Sequence, residues 1–276
     1  MEHHINRITQ LVNHYFGHFA ISLLSVFHVT PRDPNEPIRQ HVVMALCVLV
    51  TGTLVALFVR ARLSVERPGA TQQVAELLLT NSMGFGIRDL LEENTGHDGA
   101  RYVPMVGSIA IFILISNLMG VIPFLSAPTG EVTVPLACAL ITFIYFNYHG
   151  ARKHGVLGYL NTFAGSPHGV GGWMLALLLF PVEIISTTAR LLSLTVRLWA
   201  NMFASDLIYG IFLSLLAGGF TFGWSKHPVL GVILGIFPAV IPVAFLGLHI
   251  FVSVVQAYVF TVLPAVYLGL ATSDEH

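Results

Sequence analysis

The chain has 276 residues, of which 55% are hydrophobic and only 10% charged; soluble domains average about 25% charged, so a mean hydropathy of +0.76 points to a bilayer. A formal net charge of −1 leaves no basic footprint for DNA or RNA and excludes the nucleic-acid-binding classes. The two cysteines, Cys47 and Cys138, both sit in apolar runs, where a small buried hydrophobe is the expected role rather than a disulfide or metal ligand.

In chain order, residues 1–40 form an outer segment whose first 30 residues hold five histidines and no sustained apolar core, which does not read as a signal peptide. A span needs about 20 predominantly apolar residues. Residues 41–59 carry no Asp, Glu, Lys or Arg and are followed by Arg60, Arg62 and Arg67, so the first span ends on the cytoplasmic side and the N-terminus lies outside. The polar stretch 68–96 fills most of the remainder up to residue 101, and its loose helical spacing predicts an amphipathic helix on the cytoplasmic surface, with a small soluble linker as the alternative. Within 102–172, the uncharged run 102–130 breaks at "PFLSAPTG", giving a second span that ends near Pro123. Residues 132–148 return as a third span that meets Arg152 and Lys153, a second positive flank of the same polarity.

Residues 173–276 hold two runs too long for single upright spans. The first, 173–217, has 45 residues and would be about 67 Å long as one helix. The second, 229–271, follows the turn-like "GGFTFGWSKHP". Either each run folds back or the two form a long, steeply tilted hairpin, bent at Pro181, Pro238, Pro242 and Pro264. The predicted fold is an all-α polytopic membrane protein of about five passages, with the "SDEH" tail inside and a bacterial plasma membrane as the expected location.

Charges inside these oily runs mark function, because a charge at the bilayer centre costs about 2.5–3.5 kcal/mol on insertion scales. Glu183, Arg190 and Arg197 are spaced by seven and share one helix face, with Asn201 four residues further on. Asp206, nine residues past Arg197, points about half a turn away. On the last run His249, Ser253 and Gln256 form one polar line at i, i+4 and i+7, with Tyr267 beyond. His249 can relay protons near neutral pH. Arg keeps its proton, so a buried Arg acts as a fixed positive gate that draws in a carboxylate and repels free protons.

Blander roles stand beside these. Arg197 could pair with an acid or snorkel to an interface, Arg190 could serve packing or lipid headgroups, and Glu183 could cap backbone freed by Pro181. Asn117 reads equally as helix packing or channel lining. A self-contained transporter binding an anion at a buried Arg would need inverted repeats, which the sequence does not display; a structural scaffold would leave the aligned charges unexplained. The histidines outside the last run fall mostly in tails and loops, which argues against paired haem ligation, and no cofactor or metal is expected.

At these residues the chain resembles the subunit a family of rotary F-type ATP synthases, the membrane stator that sits against a ring of c subunits. "RLWANMFASDLI" from Arg197 to Ile208 and the C-terminal "QAYVFTVLPAVYLGLATSDEH" carry the resemblance, with "SNLMGVIP" and "EVTVPLACAL" as further landmarks. It implies that Arg197 is the essential arginine facing the c-ring carboxylates, with Gln256 its neighbour on the final helix and Asn201 beside it. Arg190 takes the place of a second basic residue, and Glu183, Asp206 and His249 match positions lining two aqueous half-channels; Asp206 stands where many relatives have Glu or His. The resemblance also implies a tilted final hairpin, b subunits and the rest of the F1Fo complex as partners, and protons as the transported ion. No nucleotide site is expected in this chain, because no G-x-x-x-x-G-K-[ST] sequence occurs in it.

Overall fold

The computed structural model describes residues 7–26, 36–64, 68–80, 86–122, 125–165 and 169–273. Among these the chain is helical: α1 Arg7–Val26, α2 Gln40–Ala61, α3 Ala70–Leu79, α4 Ile87–Thr95, α5 Gly99–Met119, α6 Thr133–His154, α7 Val156–Phe163, α8 Gly169–Lys226 and α9 Pro228–Thr272, with 3-10 turns at Gly96–Asp98 and Pro128–Gly130. Five helices are long and apolar enough to cross a membrane, over Gln40–Ala61, Gly99–Met119, Thr133–His154, Ala176–Lys226 and Val243–Thr272. A helix is the natural form for such segments, since it satisfies its own backbone polar groups where no water can.

Several elements depart from the sequence expectation. The single amphipathic helix foreseen in 68–96 is two helices, α3 and α4, and α4 starts after Gly86 in extended backbone with Asp89 in its first turn, favourable to the helix dipole. Helices α1 and α7 were not foreseen. The stretch read as a turn, "GGFTFGWSKHP", is mostly helix: α8 runs on to Lys226 and only His227 separates it from α9. Phe220 and Trp224 stack at i and i+4 across this stretch, 5.5 Å between centroids, and Pro228 opens α9, where its missing N–H is no loss. The 58 residues of α8 make a helix of about 87 Å and the 45 of α9 one of about 68 Å, against a hydrocarbon core of about 30 Å. The tail at 274–276 and His3, His4, His28 and His168 lie outside the described residues.

The chain divides into two compact units. One comprises Met1–Gly52, Ile113–Val134 and Trp199–Val254, the other Thr53–Phe112, Pro135–Leu198 and Val255–His276. In the first, Gln40 Nε2 donates to Ser126 Oγ at 2.9 Å, and α8 and α9 meet at the stacked Phe212 and Phe245 rings, 5.7 Å apart. In the second, Leu91, Val106, Phe146, Ala265 and Leu268 build a buried apolar core. α6 ends in Arg152, Lys153 and His154, a basic last turn suited to the dipole, followed by Gly155 at φ 75°, the left-handed stop that glycine takes most readily.

The same unit fixes the end of α9. Lys153 Nζ donates to the Thr272 carbonyl at 2.7 Å, capping its last turn, and Gly269 lets α9 approach the Asn94 carbonyl so closely that any Cβ there would collide with the backbone. Gly269→Val is expected to cost about 1–3 kcal/mol through overpacking, read as a lower thermal midpoint of the solubilised protein. Gly52→Ala, whose Cβ would sit 3.6 Å from Ile115 Cδ1 in ordinary contact, is expected to leave that midpoint unchanged.

Candidate functional site

Polar side chains gather in two places, one in each unit. In the first unit the centre is Asn117 on α5, fully buried. Thr129, in the Pro128–Gly130 turn, donates its hydroxyl to Asn117 Oδ1 at 2.6 Å. His249 of α9 lies with Nε2 3.0 Å from the Asn117 backbone oxygen. A carbonyl only accepts, so Nε2 carries the proton and donates, and neutral His249 has Nδ1 as its basic nitrogen. Ser253, one turn on, donates to the His249 carbonyl at 2.7 Å.

Gly120 makes this approach possible: a Cβ there would stand 3.4 Å from His249 Nε2 and 3.2 Å from Ala127 Cβ. Asp206, on α8, brings Oδ2 to 3.2 Å from where a Gly130 Cβ would be, so its carboxylate borders the turn that carries Thr129. Asn117 Nδ2 and Ser116 Oγ are buried with no hydrogen-bond partner among the described residues; groups of this kind in membrane proteins favour polar company over hydrocarbon.

In the second unit the seven-residue spacing of α8 brings Glu183 and Arg190 together. Arg190 Nη2 lies 3.3 Å from Glu183 Oε1, and Thr187 Oγ1 donates to the same oxygen at 3.4 Å. The Arg190 guanidinium also stands over the Tyr267 ring, 5.4 Å from its centroid, within cation–π range. These groups line a cavity of about 270 Å³ together with Phe146 and Tyr159. Tyr159 donates to Asn147 Oδ1 at 3.0 Å. Burial pushes its phenol up from the ordinary value, against the pull of Arg190, so the hydroxyl stays a neutral donor.

Arg197 is expected from sequence to be buried, but within this chain it is exposed. Leu194 and Leu198 fill the packed side of the helix, and Arg197 makes no hydrogen bond or ion pair among the described residues. Asn201 is half-buried. Gln256 is buried, with Oε1 lacking a partner among the described residues. The Arg197 guanidinium and the Gln256 amide oxygen thus both lack a partner among the described residues.

Tyr159 was missed by sequence reading, and Thr129 as well. Each enters its site through a contact distant in sequence, 12 residues in both cases, and neither lies on a periodic pattern. The histidines outside the last run are read from sequence as lying mostly in tails and loops, but His149 is buried in α6, edge-on to Tyr102, Tyr145 and Tyr148 at centroid distances of 5.0, 4.5 and 5.4 Å. The aromatic side chains of its own and the neighbouring helix bury it. Among the described residues no three His, Cys, Asp or Glu groups come together as a metal site.

The Asn117 junction yields a direct check. Thr129→Val strips a buried acceptor of its donor and is expected to cost about 1–3 kcal/mol, lowering the thermal midpoint. Thr129→Ser, which keeps the hydroxyl, is expected to retain most of it.

Comparison with known proteins follows the same lines. The family model described as "ATP synthase A chain" matches residues 41–269. The chain is 38% identical over 268 residues to "ATP synthase subunit a" of Koribacter versatilis, covering 97% of each chain. It is 39% identical over 231 residues to the protein of that name from Solibacter usitatus, covering 83% of this chain and 86% of that one. "ATP synthase subunit a 2" of a Bradyrhizobium species is 32% identical over 249 residues, 90% and 94% of the two chains. A match of this extent, with five helices apolar enough to span, makes this multi-pass membrane protein a member of the ATP synthase A chain family.

Proposed function

We propose that the chain is the membrane stator of an F-type ATP synthase and passes protons to and from carboxylates on a neighbouring ring of c subunits. The observation that carries this reading is the unequal fate of two arginines on one face of α8. Arg190 has its acid within the chain, in Glu183 at 3.3 Å, whereas Arg197, a heptad on, has no partner among the described residues. A cation in a helix apolar enough to span costs about 2.5–3.5 kcal/mol at the bilayer centre unless an anion, water or an interface meets it, and an acid on a neighbouring subunit is such an anion. A ring of buried acids supplies that anion.

The other residues then fall into roles. Protons enter by a half-channel around Asp206 and His249, where Asn117 and Ser253 supply hydrogen-bonding groups, and reach a ring carboxylate. Once neutral, the acid can face lipid, where its ionised form would be too costly. On returning from the lipid it releases its proton into a path beside Glu183, which Arg190 and Tyr267 also line, and Arg197 stabilises the anion that remains. Arg197 also repels protons that would leak directly from one path to the other, while Gln256 and Asn201 offer neutral polar groups that orient the guanidinium. The chain is non-catalytic in this scheme; ATP is made or hydrolysed elsewhere in the complex, which includes the b subunits of the peripheral stalk. The positive flanks Arg60, Arg62, Arg152 and Lys153 support an N-terminus outside and a C-terminus in the cytoplasm of a bacterial plasma membrane.

ATP-driven acidification of inverted vesicles tests the gate. Arg197→Ala is expected to lower the rate by about tenfold or more while the ring still co-purifies with the chain. Near wild-type pumping in that variant would contradict the proposal, and failure of the wild-type chain to co-purify with any ring would favour a self-contained transporter. Glu183→Gln is expected to slow pumping less than Arg197→Ala, because it removes one relay group and not the gate.

A further inference from the structure

Helix α1 has no part in the proton scheme, yet its 20 residues are sorted into three faces. At 100° per residue, Thr9, Asn13 and Gly17 fall on one arc, and this arc packs on the protein: Thr9 and Gly17 are buried. Asn13 Nδ2 donates to the Ile38 carbonyl and the Ile38 N–H donates back to Asn13 Oδ1, each at 3.0 Å. Gly17 closes the contact, since a Cβ there would meet Pro37 Cγ at 3.4 Å. Ile38 stands two residues before α2 begins at Gln40, so the middle of α1 is pinned where the first span enters the bilayer.

A second arc carries Leu11, Tyr15, Phe16, Phe19, Leu23 and Val26, all exposed, with Tyr15 70% and Phe19 68% accessible. Arg7, Gln10, His14, His18 and Ser25 make the third arc, interrupted only by Ile21. Apart from Ile21 and from Ser22, which falls inside the apolar arc, apolar and polar groups are therefore separated around the axis and not along it, since both arcs run the full length of the helix. A helix that crosses a bilayer shows the opposite pattern, apolar all round in its middle and polar at its ends. α1 is as long as a span but is not among the helices apolar enough to cross.

We propose that α1 is an interfacial lipid anchor, lying in the plane of the membrane surface beside the entrance of α2, with its apolar stripe among acyl chains and Arg7, His14 and His18 among phospholipid headgroups. The occupant of the stripe is lipid because the reciprocal Asn13–Ile38 bonds hold the helix at the level where the chain enters the bilayer, so the stripe continues a surface that is already in lipid. Radial amphipathicity with a cationic and imidazole-bearing polar arc is the pattern that such surface helices carry. The inference rests on the membrane-spanning character of the chain and is independent of the proton path.

Site-directed fluorescence on the assembled complex tests it. In a Cys47→Ala, Cys138→Ala background, single cysteines at Tyr15, Phe19 and Val26 report the stripe, and single cysteines at His14, His18 and Ser25 the polar arc. Each is labelled with an environment-sensitive nitrobenzoxadiazole and reconstituted into phosphatidylcholine–phosphatidylglycerol vesicles. The stripe labels are expected to be quenched by doxyl groups on the acyl chains several-fold more strongly than the polar-arc labels, with aqueous iodide giving the reverse order. The neighbouring pair Ser25 and Val26 preserves the comparison if an aromatic position fails to assemble. Quenching of both arcs by iodide alone would place α1 in water. Shielding of the stripe from both quenchers would mean that another protein covers it. Either result overturns the proposal.

Discussion

Charge in hydrocarbon is the constraint from which the rest of this molecule follows. A guanidinium cannot shed its proton to become cheaper to bury, so each arginine in an apolar helix must find an anion, water or an interface. On α8 the chain provides for Arg190 with Glu183 and with the face of Tyr267. It makes no such provision for Arg197 among the described residues, and that asymmetry is what the proposed interface with a ring of acids rests on. A helix of 58 residues carries this group exposed, and the proposed ring acids are the anion offered to it.

The surroundings hold the polar groups still. Asn117 serves two neighbours at once, its side chain accepting from Thr129 and its backbone oxygen from His249, so one buried residue sets both the position and the tautomer of a titratable ring. The close approach at Gly120 is part of the same arrangement, because a larger residue would push on the imidazole itself. In the other unit, Lys153 on the Thr272 carbonyl and the tight contact at Gly269 fix the far end of α9, the helix that also carries Tyr267 into its cavity. Packing and the proposed proton path draw on the same helices.

Much of this was legible in the sequence because hydropathy and helical period are local signals. Residues 41–59 and 132–148 stand within one to six residues of the observed ends of α2 and α6, and the spacing of seven put Glu183 and Arg190 on one face of α8, where they pair. Local reasoning erred where punctuation residues were outweighed by context. The glycines and aromatic residues of "GGFTFGWSKHP" read as a turn, but stacked Phe220 and Trp224 carry the helix through them. Gly86 had the opposite effect, starting a new helix inside a stretch read as one. Helix α1 escaped notice because its histidines hide an apolar stripe that only angular sorting displays. Tyr159, Thr129 and the burial of His149 depend on contacts between helices, which no single-sequence period encodes.

Sided water access tests the central claim most directly, that two separate polar paths serve the face on which Arg197 stands. Single cysteines at Asp206 and at Glu183, in a background without Cys47 and Cys138, can be challenged with a membrane-impermeant thiosulfonate in sealed vesicles of both orientations. The account expects the cysteine at Asp206 to react from the outer side and the cysteine at Glu183 from the cytoplasmic side. Reaction of both from one side, or of neither from any side, would contradict it.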